Sequence, residues 1–158
     1  MEAAKKGNRM LGMMKRTIVS RDKEIIIKLY KSLVRPHLEY CVQAWNPFLK
    51  KDIELLERVQ RRATKMVNGC HKLSYKKRLQ YCGLTTLERR RERGDLIETY
   101  KIMTGKVNVP YDRFFELANY SSTRGHTCKL FKQRVGPRKK NFLVLGLWTN
   151  GIIWMRWE

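Results

Sequence analysis

Arg58, Arg61, Arg62 and Lys65 recur three and four residues apart, a spacing that places cations along one side of a helix instead of around it. The chemistry open to such a stripe is neutralisation of successive phosphates on a nucleic-acid backbone, driven by counterion release. Two further basic groups admit the same reading, Lys76, Lys77 and Arg78, then Arg89, Arg90, Arg91 and Arg93, while Arg124 and Lys129 extend it toward the C-terminus. A solvated helix face is the plain alternative for each group. The charge balance favours phosphate contact: 35 Lys and Arg stand against 14 Asp and Glu, a net +21. A chain so charged repels itself unless a polyanion neutralises it, and nucleic acid (RNA, DNA or an RNA–DNA duplex) is the usual one. An anionic membrane surface fits less well, because the basic residues are spread over most of the chain.

Residues for catalysis do not assemble. A two-metal polymerase or nuclease needs carboxylates clustered at strand ends and turns. Nearly all the acids here fall in helical stretches beside Lys or Arg: Asp52, Glu54 and Glu57 read as helix-start acids, Asp95 and Glu98 as surface ion-pair members. There is no P-loop, no G-x-G-x-x-G and no G-x-S-x-G. His37, His71 and His126 have no recognisable nucleophile partner. Cys41, Cys70, Cys82 and Cys128 form no CxxC pair, and with His71 and His126 they match no common zinc knuckle. The expectation is free thiols and no metal, cofactor, small-molecule substrate or activity of the chain's own. No run reaches the ~18–20 apolar residues of a spanning helix, and Met1 to Lys6 holds no apolar signal core. The protein is therefore expected in the nucleus or cytoplasm, not secreted.

The elements that would carry these cations read as mainly α, a helical body over residues 1–118 and a basic, partly irregular extension over 119–158. Ser20 is the expected N-cap of a helix over 20–35, with Ile25, Ile26, Leu29, Leu33 and Val34 at helical spacing. Pro36 then starts a second short helix through Leu38, Cys41, Val42 and Trp45 to Asn46. From Asp52 to Asn68 the pattern is clearest: Ile53, Leu56, Val59, Ala63, Met66 and Val67 form one stripe, and Asn68-Gly69 stops the helix. Ser74 opens a short helix toward Gly83. Thr85 with Glu88 makes a capping box before a long helix ending near Gly105, whose half bearing Leu96, Ile97, Tyr100 and Met103 is expected to pack. A last short helix is expected over Tyr111 to Ala118. Residues 121–158 hold eight Lys and Arg and one acid, Glu158, and Lys129 to Lys132 read as the start of a strand or an arm.

Four stretches carry a family likeness in the same order: Tyr30 to Pro47 (YKSLVRPHLEYCVQAWNP), Lys51 to Lys65 (KDIELLERVQRRATK), Leu84 to Arg91 leading to Gly94-Asp95-Leu96-Ile97-Glu98, and Ser122-Thr123-Arg124-Gly125-His126. Together they resemble the region after the polymerase core in non-LTR (LINE-type) retrotransposon reverse transcriptases, of the jockey-like and chicken-repeat kinds. The likeness runs from about residue 3 to 142. It implies a helical, thumb-like domain whose helices grip a template–primer duplex through its backbone, beside a palm module that carries the metal-binding aspartates of RNA-directed DNA polymerase. The family's Tyr-x-Asp-Asp-type turn does not occur here. Leu147-Trp148-Thr149 matches the family's Leu-Trp-Asn element loosely, and Gly151 to Trp157 is foreign to the pattern, as a truncated or frameshifted end would be. A module left from the thumb–palm interface, made for protein interaction or assembly, is the alternative reading.

Overall fold

The computed structural model describes residues 2–41, 45, 47, 49–117, 130 and 131. These are mainly helical: α1 (Glu2–Thr17), α2 (Lys23–Leu29), a π turn (Tyr30–Val34), α3 (Arg35–Glu39), α4 (Lys50–Lys65), α5 (Tyr75–Cys82), α6 (Leu87–Met103) and a 3₁₀ turn (Tyr111–Arg113). No strand occurs among the described residues, only an isolated antiparallel bridge between Leu117 and Leu130. No described helix is long and apolar enough to cross a membrane.

The chain divides into two compact units, Met1–Val42 with Pro47–Arg91, and Gln43–Asn46 with Glu92–Glu158. The division falls inside α6, after Arg91. Leu87, fully buried, belongs to the first unit, whereas Ile102 and Phe115 make a separate small cluster with Leu96, Met103 and Leu130.

In the first unit α1 packs against α3, the π turn and α4, and α4 packs against α5. Ala4, Gly7, Leu11 and Met14 form the buried side of α1. Gly7 is required there by close approach: a Cβ would sit 2.7 Å from Leu38 Cδ2 and 3.4 Å from Val59 Cγ1. On α4, Leu56, Val59 and Ala63 are fully buried, as the spacing predicts, and Gln60 and Thr64 join them. Ile26, Ile27, Val67, Cys70 and Cys82 make a second cluster, covered by Met66, Leu73 and Leu84.

Several boundaries differ from the sequence-based expectation. Asp22, not Ser20, caps α2: its carboxylate accepts from the amides of Glu24 (2.8 Å) and Ile25 (3.4 Å), and Ser20 Oγ accepts from Asp22 N–H (3.3 Å). Pro36 stands in the first turn of α3, as expected, but α3 follows α2 through the π turn without a break in the helical path. The proline lacks an amide donor and its ring crowds the carbonyl four residues back, so the ladder widens just ahead of it, with Arg35 N–H donating to Tyr30 O. Chain direction changes at Tyr40, whose backbone is extended, followed by Cys41 at φ 52°. The expected continuation through Val42 lies outside the described residues. Thr86, not Thr85, serves the start of α6, its Oγ1 accepting from Arg89 N–H at 3.2 Å. The inner side of α6 carries Asp95, Thr99 and Ile102, while Ile97 is exposed. Tyr111 to Arg113 form one 3₁₀ turn in place of the expected longer helix.

A buried polar network fixes α4, α5 and the start of α6. Tyr30 donates to Gln60 Oε1 at 2.6 Å, and Gln60 Nε2 donates to Tyr75 Oη (3.0 Å) and to the Thr85 carbonyl (2.9 Å). Tyr75 in turn donates to Glu57 Oε1, and Glu57 Oε2 accepts from Leu87 N–H at 3.1 Å. Buried polar groups satisfied this completely hold helices in one arrangement, because any shift strands a donor or acceptor away from water.

Candidate nucleic-acid interface

The four cations of α4 are all exposed, opposite its buried stripe, but they divide between two neighbours. Arg62 Nη1 donates to Asn8 Oδ1 on α1 at 2.9 Å. Arg61 turns the other way and stacks its guanidinium 4.8 Å over the ring of Tyr75, the first residue of α5. Arg58 lies 3.8 Å from Glu54, a pair with both side chains mostly in water, which holds it weakly. Lys65 stands one turn beyond Arg61 and Arg62. On α5, Lys76 and Lys77 are exposed directly after Tyr75.

Arg78 is a correction. It is 5% exposed, its Nε donates to Thr64 Oγ1 (3.3 Å), its Nη1 to the Leu73 carbonyl (2.6 Å), and it too covers the Tyr75 ring. The guanidinium holds α5 and the preceding turn against α4, because this position of α5 faces its neighbour. Arg91 is a second correction, buried at 4% exposure on the inner side of α6. Arg90 is committed to a bidentate pair with Glu39 (Nε–Oε1 2.5 Å, Nη2–Oε2 3.1 Å), which Arg35 joins at 3.7 Å. The hydrogen bond from Arg90 to Glu39 holds the Arg90 proton more tightly than usual. Arg89 is exposed, as is Arg93 in the second unit. Arg124 and Lys129 lie outside the described residues.

Glu24 pairs with Lys28, Glu39 with Arg35, Glu54 with Arg58 and Glu98 with Lys101, whereas Asp95, expected at the surface, is buried because its position on α6 faces inward. Among the described residues no group of three His, Cys, Asp or Glu could hold a metal. Cys70 and Cys82 are buried thiols and Cys41 is an exposed one. Burial, with Cys70 beside it, pushes the Cys82 thiol up to about 11. Burial also raises the phenols of Tyr30 and Tyr75, the latter further through its bond to Glu57.

A cleft of about 420 Å³ opens beside the α4 stripe. Asn8, Leu11, Gly12 and Lys15 of α1 form one wall, Arg62, Lys65 and Met66 another, and Arg21, Asn68 and His71 complete it. Asn68 N–H donates to the Arg21 carbonyl at 3.0 Å, which ties the two loops together. Lys15 and Arg21 were not legible as site residues from basic runs, since each stands apart from them. The available signal was the 3–4 spacing of Ala4, Gly7, Leu11 and Met14, which makes residues 2–17 a helix and puts Asn8, Gly12 and Lys15 along one flank of its buried stripe.

No family model, no curated protein and no solved structure matches the chain.

Proposed function

We propose that the chain binds nucleic acid through the phosphate backbone with little sequence readout, and that it corresponds to the thumb and following region of a non-LTR retrotransposon reverse transcriptase. The observation that carries this reading is the set of exposed cations that α4 and α5 present together: Arg61 over Tyr75, Lys76 and Lys77 beside it, Arg62 and Lys65 along α4. Among the described residues no ion pair engages any of these five, for Glu54 is taken by Arg58 and Glu57 is buried in the polar network. Cations mounted on two packed helices keep their spacing, which suits backbone contact more than base readout. The four stretches that resemble the retrotransposon family support the same reading, since they include α4 and the start of α6.

The test is fluorescence anisotropy with labelled RNA–DNA and duplex DNA at several salt concentrations. If ~5–8 phosphates are neutralised, the log–log slope is about −4 to −7 and is alike for unrelated sequences. A slope near zero removes the electrostatic reading. The pure chain is expected to extend no primer with Mg²⁺ or Mn²⁺, because it lacks the family's carboxylate turn.

Val19 and Tyr40, 92% and 79% exposed, favour a second reading in which the chain docks on another protein module such as the palm. Single apolar side chains at a surface are ordinary, whereas so large an unneutralised charge is not, and the charge decides for nucleic acid.

A further inference from the structure

The cleft beside α4 differs from the exposed cation row in shape and chemistry. Its volume, about 420 Å³, lies toward the small end of the ~300–1,000 Å³ range of small-molecule sites, too small for a duplex. Its floor is apolar, from Leu11 and Met66, with the bare backbone of Gly12 between the helical turns. Four cations, Lys15, Arg21, Arg62 and Lys65, stand around it, and no carboxylate lines it. Arg21 brings an unused donor: its Nη2 donates to the Lys15 carbonyl at 3.2 Å, while its Nη1 is buried with no acceptor among the described residues. An apolar floor inside a cationic rim matches a ligand that carries a flat, weakly polar ring and a phosphate on one short linker.

We propose that this cleft receives one nucleotide, at the end of the bound strand or unstacked from it. The base lies on Leu11, Gly12 and Met66, and the phosphate is held by Lys65, Arg62 and Lys15. This deepens the nucleic-acid reading and rests on it for the source of the nucleotide, but the cleft is testable apart from the duplex-binding row. Gly12 supplies the means. Gly12 lines the cleft and a Cβ added there meets nothing within 4 Å, so Gly12→Leu is the substitution chosen to occupy the cleft.

The experiment titrates the full chain with adenosine 5′-monophosphate, adenosine and inorganic phosphate by calorimetry, and in parallel with blunt duplex DNA and the same duplex bearing a single-stranded overhang. The expected result is saturable binding of the monophosphate, at least tenfold tighter than either fragment. Gly12→Leu is expected to weaken it at least tenfold and to abolish any preference for the overhang, while the salt slope on blunt duplex is unchanged. Lys65→Gln, at an exposed side chain, is expected to weaken the monophosphate several-fold and leave adenosine as it was. Equal affinity for phosphate and the monophosphate, or binding indifferent to Gly12→Leu, overturns the nucleotide site. Absence of duplex binding alongside cleft binding of the monophosphate overturns the backbone reading instead, so the two failures are distinguishable.

Discussion

Glu57 on α4 caps α6 from a distance of thirty residues in the chain: its Oε2 accepts the Leu87 N–H at 3.1 Å while its Oε1 accepts from Tyr75. A carboxylate at a helix N-terminus satisfies an orphan amide and meets the positive end of the helix dipole. Glu57→Ala removes that acceptor and leaves the Leu87 N–H and the Tyr75 O–H proton without an acceptor, while Tyr75 Oη still accepts from Gln60. The expected loss is ~2–4 kcal/mol, against a much smaller change for Glu54→Ala on the exposed side of the same helix. Urea denaturation of the two variants checks it.

Leu56 is fully buried, so Leu56→Ala is expected to cost ~2–4 kcal/mol. Lys65→Gln and Lys76→Gln, at exposed positions, are expected to change stability by less than ~0.5 kcal/mol. Either substitution should instead flatten the salt slope on B-DNA by ~0.9, the share of one neutralised phosphate. Paired melting and salt-titration curves for each variant separate the two roles.

Arg78→Gln should behave in the reverse way. The variant loses hydrogen bonds to Thr64 and the Leu73 carbonyl in a buried place, so it is expected to lose ~1–3 kcal/mol of stability. Its salt slope on duplex should match that of the unaltered chain at a temperature where both are folded. A flattened slope with unchanged melting would put Arg78 back among the residues that meet phosphate.

The same substitution at two glycines of α1 should have opposite signs. Gly12→Ala meets open space and gains helix propensity, a stabilisation of up to ~1 kcal/mol. Gly7→Ala drives a methyl group to 2.7 Å from Leu38 Cδ2, and Leu38 is itself fully buried. The overpacking, ~1–3 kcal/mol, works against a propensity gain of up to ~1 kcal/mol, leaving a net destabilisation of up to about 2 kcal/mol. Thermal melting by circular dichroism reads both.

Stability is expected to fall as pH rises from about 9 to 11. Tyr30, Tyr75 and Cys82 all hold their protons more tightly in the fold than in the unfolded chain. Once pH passes the ordinary phenol and thiol values, the unfolded state releases protons that the folded state keeps, so unfolding becomes easier. Their contribution is fully present below the unfolded values and is lost as pH climbs toward the folded ones. Denaturation midpoints at pH 7, 9, 10 and 11 test the direction, and Tyr75→Phe should make the decline shallower.

Much of the helical layout was legible because its causes are local. Ser74 and Gly83 bracket α5 as N-cap and left-handed C-terminal residue, and Leu56, Val59 and Ala63 fall inward on α4, since capping and a 3.6-residue period involve only neighbours in the chain. The net charge is a property of composition alone. Only the tertiary structure decided which arginine of each run stays outside. Each residue turns a helix by about 100°, so in Lys76-Lys77-Arg78 and Arg89-Arg90-Arg91 one cation rotates into the protein, and the packing partner determines which. On α6 Leu96 and Met103 pack as their apolar content indicated, but Asp95, Thr99 and Ile102 are the buried residues and Ile97 is exposed. The Glu57 cap and the cleft that joins Lys15 and Arg21 to Arg62 and Lys65 depend on residues far apart in the chain coming together. No pattern of neighbours encodes them; the helices have to meet first.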